Sequence, residues 1–326
     1  MLKSILDHDY MSDTCFLCAE KFDQNNGSKE HVFPKWLQHE FNLWNRKITL
    51  LNQTKISYKD LVIPCCVNCN NTTLSQLELK IKNAFKKGYE GILKVSELDL
   101  FLWCAKLFLG MIYKEKFLRM DLTDVSAGTI TDEGLLKNYA MLHFWIKNFR
   151  SSEMDSFTPG SIFIFQAQDV NSDQEKFAIL DDIESSFFMI RVGNVLIFAD
   201  FLDNGLHRRE LEKYYSSIQT ISLHPIQVKE LVAIAVYNSK RLRIKTTTSF
   251  QASNGSLSTS VTWEPVAESY FGEWDNEQFL LIHEDISGIP ADILRSGPNS
   301  YRTVLFDERG NPLYWPNGEN HPLQPN

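Results

Sequence analysis

The spacing of apolar residues changes character near residue 150. Before that point the runs are helical. Residues 35–44 place Trp36, Leu37, Phe41 and Trp44 at helical intervals behind Pro34, a residue suited to a helix first turn. Residues 61–63 (Leu-Val-Ile) form a short β-rich run. Over residues 74–88, Leu74, Leu77, Ile81 and Phe85 fall on one face, and Thr72 or Thr73 can cap the helix. Residues 97–119 read as an amphipathic helix with Leu98, Phe101, Leu102, Ala105, Leu109 and Ile112 on its apolar side, and residues 135–149 as another. From Pro159 onward strands dominate: 161–166, 176–180, 187–192 and 195–201, interrupted by a helix around 207–217. Residues 242–248 and 278–283 are weaker runs, and 310–326, rich in Pro, Gly and Asn, read as loop. The pattern predicts an α+β chain whose second part carries a mainly antiparallel sheet.

Length and composition fit two domains. The chain has 326 residues and is 43% apolar, enough for a sizeable core. No apolar run reaches membrane-spanning length; the longest, 98–113, is interrupted by Lys106. There is no heptad series, internal repeat or low-complexity tract. Residues 1–10 carry Asp7, His8 and Asp9 and lack the apolar core of a secretory signal, so a reducing, cytoplasmic setting is expected.

The cysteines are more specific. Cys15-Phe-Leu-Cys18 and Cys66-Val-Asn-Cys69 are two Cys-x-x-Cys turns, separated by 47 residues. Each such turn brings two thiolates onto one ion, and two turns complete a tetrahedral zinc site. The alternatives are a redox pair or disulfides, which a reducing compartment disfavours. Cys66 is assigned as the ligand rather than Cys65, because it repeats the spacing of the first pair. Cys104 lies in an apolar run and reads as a small hydrophobe.

Between the two pairs stands Lys29-Glu30-His31-Val32-Phe33-Pro34, and after the last cysteine come Asn70 and Asn71. A neutral imidazole can take a proton from water near pH 7. An adjacent carboxylate can hold a divalent cation against a phosphate. An isolated Glu-His pair is ordinarily a surface pair; its setting between two zinc-type cysteine pairs makes this one a candidate centre.

On these residues the chain resembles the HNH endonuclease superfamily, with its ββα-metal fold, in the variant stapled by four cysteines. The resemblance covers roughly residues 12–90. It implies that His31 is the general base and that Glu30 and Asn70 bind a catalytic divalent ion such as Mg²⁺. It also implies that Cys15, Cys18, Cys66 and Cys69 hold structural Zn²⁺. Glu78 stands either as an assisting metal ligand, as in a subgroup ending in an acidic residue, or as a helix-surface glutamate. The pattern departs at the residue that orients the base, where Asp60 or Asn52 stands nearest. The implied layout is a nuclease module over 1–95, a helical connector over 96–150, and an α+β domain over 151–326 that supplies targeting or regulation. The implied activity is hydrolysis of DNA phosphodiester bonds, leaving 5′-phosphate and 3′-hydroxyl ends, in a restriction or anti-phage role. An RNA-directed nuclease and a non-catalytic zinc module that binds nucleic acid are the alternatives.

The net charge of −8 is unusual for a nucleic-acid enzyme, but it is unevenly placed. Residues 1–120 hold 17 Lys and Arg against 13 Asp and Glu, a balance of +4, and the remainder carries −12. Lys80, Lys82, Lys86, Lys87 and Lys94 form either a phosphate-steering patch or a solvated helix face. The partners expected are therefore DNA or RNA, and a regulatory ligand or protein at residues 151–326, with no membrane. The other histidines attract no role. His143 reads as a packed core residue, and His207 with Arg208 and Arg209 as a surface cluster at a helix start. His8, His39, His224 and His283 have no spaced partner.

Overall fold

The Glu-His dipeptide lies at the end of strand β1 (Gly27–His31). A computed structural model of the chain describes residues 11–148, 158–170, 173–243, 246–253, 256–263, 269–297 and 299–316. The chain divides into two compact units: most of residues 1–156 make one, and most of 157–326, with Lys87–Leu93, make the other. The boundary expected at residue 151 lies outside the described residues.

In the first unit, helix α1 (Lys35–Glu40) follows β1. It is shorter than the expected 35–44, because Asn42 takes a positive φ of 54° and turns the chain. A small ribbon, β2 (Lys47–Thr49) with β3 (Lys55–Ser57), comes next. Strand β4 (Val62–Cys66) then pairs antiparallel with β1, in a register that sets Glu30 opposite Ile63 and His31 opposite Val62. Beyond β4 a π-helical turn (Cys69–Leu74) runs directly into α2 (Ser75–Phe85). The expected threonine cap is absent: Thr72 Oγ1 donates to the Asn68 carbonyl, and the helix inherits its hydrogen bonding from the π turn.

Helix α4 (Glu97–Glu115) is the core of this unit, and α3 (Gly88–Ile92) precedes it in sequence but belongs to the second unit. The Ser96 hydroxyl caps α4 by accepting from the Asp99 N–H. The expectation of one apolar face falls short, since Leu100 to Tyr113 are all buried, charged Lys106 among them. Gly110 is where α4 approaches the end of β1: a Cβ there would lie 3.1 Å from the Val32 side chain. Lys106 is one turn earlier, on the same face. The run expected as a single helix over 135–149 is two, α5 (Glu133–Asn138) and α6 (Ala140–Asn148), with Asp132 capping the first.

The second unit is built on a five-stranded mixed sheet. Its strands are β5 (Ser161–Ala167), β6 (Phe177–Asp182), β7 (Phe187–Val192), β8 (Val195–Asp200) and β9 (Ser222–Leu223). They lie in the order β6-β7-β8-β5-β9, antiparallel except for the β5–β9 edge. Every residue of β7 and β8 is buried, which is why both read as unbroken apolar runs. Helices α7 (Leu206–Ile218) and α8 (Pro225–Arg241) contribute Tyr215, Leu231 and Ala235 to the same core as Phe163, Phe165 and Phe198. Each such large side chain contributes roughly 1.5–3 kcal/mol on burial.

Helix α8 has no counterpart in the sequence reading. His224 caps it, accepting from the Ile226 N–H, and Gln227 reaches back to the His224 N–H. Strands β10 (Thr246–Ser253) and β11 (Ser256–Trp263) pair with each other, so the expected run 242–248 begins later than anticipated and falls partly outside the described residues. The run 278–283, read as a strand, is part of helix α9 (Asn276–Ser287), capped by Asp275. Residues 310–316 are irregular, as expected. Among the described residues no helix is long and apolar enough to cross a membrane.

Candidate functional site

The first cysteine turn is closed by its own backbone: the Ala19 N–H donates to the Cys15 carbonyl, with Ala19 at φ 61°. The Phe16 N–H donates to the Pro64 carbonyl and ties the turn to β4. On the other side the Cys69 N–H donates to Cys66 Sγ at 3.4 Å. Cys15, Cys18, Cys66 and Cys69 thereby bring their sulfurs within 4.8 Å of one another and could hold a metal ion. Cys18 Sγ is 4.0 Å from Cys66 Sγ, close to the roughly 3.8 Å edge of a tetrahedron with 2.3 Å metal–sulfur bonds. Hydrogen bonds from Cys65 and then Cys69 hold the Cys15 thiol far below its ordinary pKa. Burial pushes Cys18 up to about 12. Cys65 is fully buried with Sγ 3.7 Å from Cys15 Sγ, and Cys104 is buried within α4.

Glu30, His31, Asn70 and Glu78 all line one cleft of about 350 Å³, with Lys29 and Lys35 at its exposed edge. The β1–β4 pairing delivers the first two, and the π turn with α2 delivers the others. Asn70 Nδ2 donates to Ser28 Oγ at 3.0 Å and toward the Lys29 carbonyl at 3.3 Å. That tether spends the amide nitrogen and leaves the amide oxygen as a ligand atom. Asn70 therefore lies inside a π-helical turn, a frequent feature of functional sites, rather than just ahead of an α-helix.

His31 is half-buried. Its ring lies 5.8 Å from that of Trp44, which also stacks with the ring of His39, 5.0 Å away. His31 Nδ1 is buried without a hydrogen bond. Neither candidate orienting residue bonds to it: Asn52 donates to the Met120 carbonyl and accepts from Thr54, and Asp60 is exposed. With Nδ1 shielded, proton exchange falls to Nε2. Burial, then the nearby Lys35 charge, lowers the pKa of His31 against the opposing pull of Glu30. The ring is consequently neutral near pH 7, the form a proton acceptor needs.

The residue that sequence reasoning missed is Lys106. Its side chain is 1% exposed, and its Nζ pairs with Glu30 Oε1 at 2.7 Å and Glu78 Oε1 at 2.9 Å. The same ammonium donates to the carbonyls of His31 at 2.6 Å and Val32 at 2.8 Å. Burial opposes its charge, but the two carboxylates outweigh that and raise its pKa. Burial also pushes Glu78 up to about 7, against the pull of Lys106. The only signal in the sequence was a lysine inside an apolar helix, which also marks a snorkelling surface residue.

Lys80 is paired with Asp99, while Lys86, Lys87 and Lys94 are exposed. His143 is buried and bonded to the Phe16 carbonyl, a core residue as read. His283 is buried beside Ser287 at 3.0 Å. His207 is not a surface residue: it is 3% exposed, at the head of α7 and against Asp200 and Asp203. His8 lies outside the described residues. The chain matches no protein-family model, and neither a curated protein nor a solved structure shows significant similarity to it.

Proposed function

We propose that the chain is an HNH-type endonuclease that hydrolyses DNA phosphodiester bonds with the help of a divalent cation. The observation that carries this reading is the convergence of Glu30, His31 and Asn70 on one cleft beside a four-cysteine cluster. The donors fit their ions. Carboxylate and amide oxygens in the cleft suit Mg²⁺ or Mn²⁺, and four thiolates suit a structural Zn²⁺. A divalent ion held by Glu30 and Asn70 would supply charge neutralisation to a bound phosphate.

His31 accepts the proton of the attacking water through Nε2, its low proton affinity keeping it ready at neutral pH. Lys29 and Lys35 hold the neighbouring phosphates. Lys106 fixes the end of β1 from behind and pairs with the Glu30 carboxylate. Glu78, already paired with Lys106, acts as a shared counter-charge. The zinc does no chemistry; it closes a small module that buries little by itself. The second unit supplies target choice or regulation.

Metal titration of cleavage tests the reading. Glu30→Ala and Asn70→Ala should lose activity that partly returns at high Mn²⁺, because each removes a ligand and not the base. Nucleic-acid binding with no cleavage by the zinc-loaded wild type, in Mg²⁺, Mn²⁺ or Ni²⁺, would instead favour a binding module.

A further inference from the structure

A second group of metal-type donors lies in the second unit. Asp200 ends β8, Asp203 follows in the loop, and His207 opens α7. One donor atom from each lies within 4.8 Å of the others, and all three residues are buried. His207 Nδ1 is 3.1 Å from Asp200 Oδ2 and 3.2 Å from Asp203 Oδ2. Yet both ring nitrogens are buried without a directed hydrogen bond. A nitrogen aimed at two carboxylate oxygens, bonded properly to neither, is the arrangement of ligands around a common point.

Three further observations agree. First, each carboxylate is fixed by hydrogen bonds to the same oxygen that faces His207, as groups around a metal site often are. Ser239 Oγ donates to Asp200 Oδ2, Ser161 Oγ donates to Asp203 Oδ2, and the His207 N–H donates to that same oxygen. Second, a cavity of about 10 Å³ borders Asp200, His207 and Ser239 on one side and Phe163, Phe198 and Tyr215 on the other, room comparable with one water molecule, although Asp203 does not line it. Third, among the described residues no Lys or Arg is ion-paired with either aspartate, and His207 is the one basic side chain paired with them. A divalent ion with neutral His207 brings the sum to zero.

We infer that Asp200, Asp203 and His207 bind a first-row divalent transition-metal ion, a site separate from the four cysteines and from the cleft. The donor set of one imidazole and two carboxylates suits Zn²⁺ or Mn²⁺. The ion joins the end of β8 to the start of α7.

The full-length chain carrying Glu30→Gln, dialysed against Zn²⁺ and separately against Mn²⁺ and counted by mass spectrometry, decides it. The expected result is one ion per chain beyond the cysteine-bound equivalent with at least one of the two metals. That ion should be lost in Asp200→Asn and His207→Gln. No ion beyond the cysteine equivalent with either metal overturns the inference, as does an unchanged count in a folded Asp200→Asn chain; the cluster is then an imidazolium–carboxylate clamp. Because Glu30 is already replaced, this result is independent of whether the chain is a nuclease.

Discussion

Lys106→Met removes an ammonium that four oxygen atoms surround at 2.6 to 2.9 Å, from a side chain 1% exposed. Methionine matches the length of the stem, so the perturbation is electrostatic rather than a cavity. What remains is two carboxylates and two carbonyls without their donor. Breaking a buried pair by deleting one partner costs roughly 3–5 kcal/mol. At about 2–4 °C per kcal/mol for a unit of this size, the melting temperature should fall by roughly 6–20 °C. Glu78→Gln in the same chain removes one of the two acidic groups left without their partner and should recover part of the loss. The double-mutant cycle should therefore show coupling of about 1 kcal/mol or more. Calorimetry of the zinc-loaded wild type, both single variants and the double variant reads all four corners. A shift under 2 °C for Lys106→Met, or strict additivity with Glu78→Gln, would refute the claim that this lysine braces the cleft.

Other outcomes are as definite. Ser substituted at Cys15, Cys18, Cys66 or Cys69 should abolish one bound zinc and unfold the first unit, since structural zinc contributes roughly 10–16 kcal/mol. Cys65→Ser should keep the zinc, and metal counts on the five variants check both. In the second unit, burial pushes Glu230 up to about 7 although Thr303 and the Val304 N–H pull it down. An acid raised this way binds its proton more tightly when folded, so it costs stability as pH climbs from its unfolded value toward 7. Glu230→Gln, which can still accept from Val304 and donate to Thr303, should gain on the wild type by up to roughly 3 kcal/mol between pH 4.5 and 8. Urea unfolding at the two pH values measures the gain, and parallel pH curves would contradict it.

The candidate site was legible because its chemistry is local. Cys-x-x-Cys spacing and an adjacent Glu-His survive as sequence patterns, and the short β-rich run before Cys66 marked the strand that pairs with β1. Lys106 was not legible, because its partners lie 28 and 74 to 76 residues away and only packing joins them. His207 failed for the same reason: Asp200 ends a strand and His207 begins a helix, so no single period links them. Strands β7 and β8 were placed well, since strands buried on both faces are unbroken apolar runs. Helix α8 is buried on nearly every side, which removes the polar face that marks a helix in sequence. Residues 278–283 misled because six residues are too few to separate a strand from a buried turn of helix.

Plasmid cleavage by the full-length, zinc-loaded chain and its His31→Ala variant tests the central claim most directly. The account expects Mg²⁺- or Mn²⁺-dependent nicking by the wild type. It expects a loss of roughly 10²- to 10⁴-fold in His31→Ala, with no recovery at high metal, because the base and not a ligand is gone. DNA binding, zinc content and melting temperature should stay close to wild type, and His39→Ala, on the exposed side of Trp44, should cleave normally. A folded His31→Ala chain that nicks at the wild-type rate would contradict the assignment and remove the main support for a nuclease.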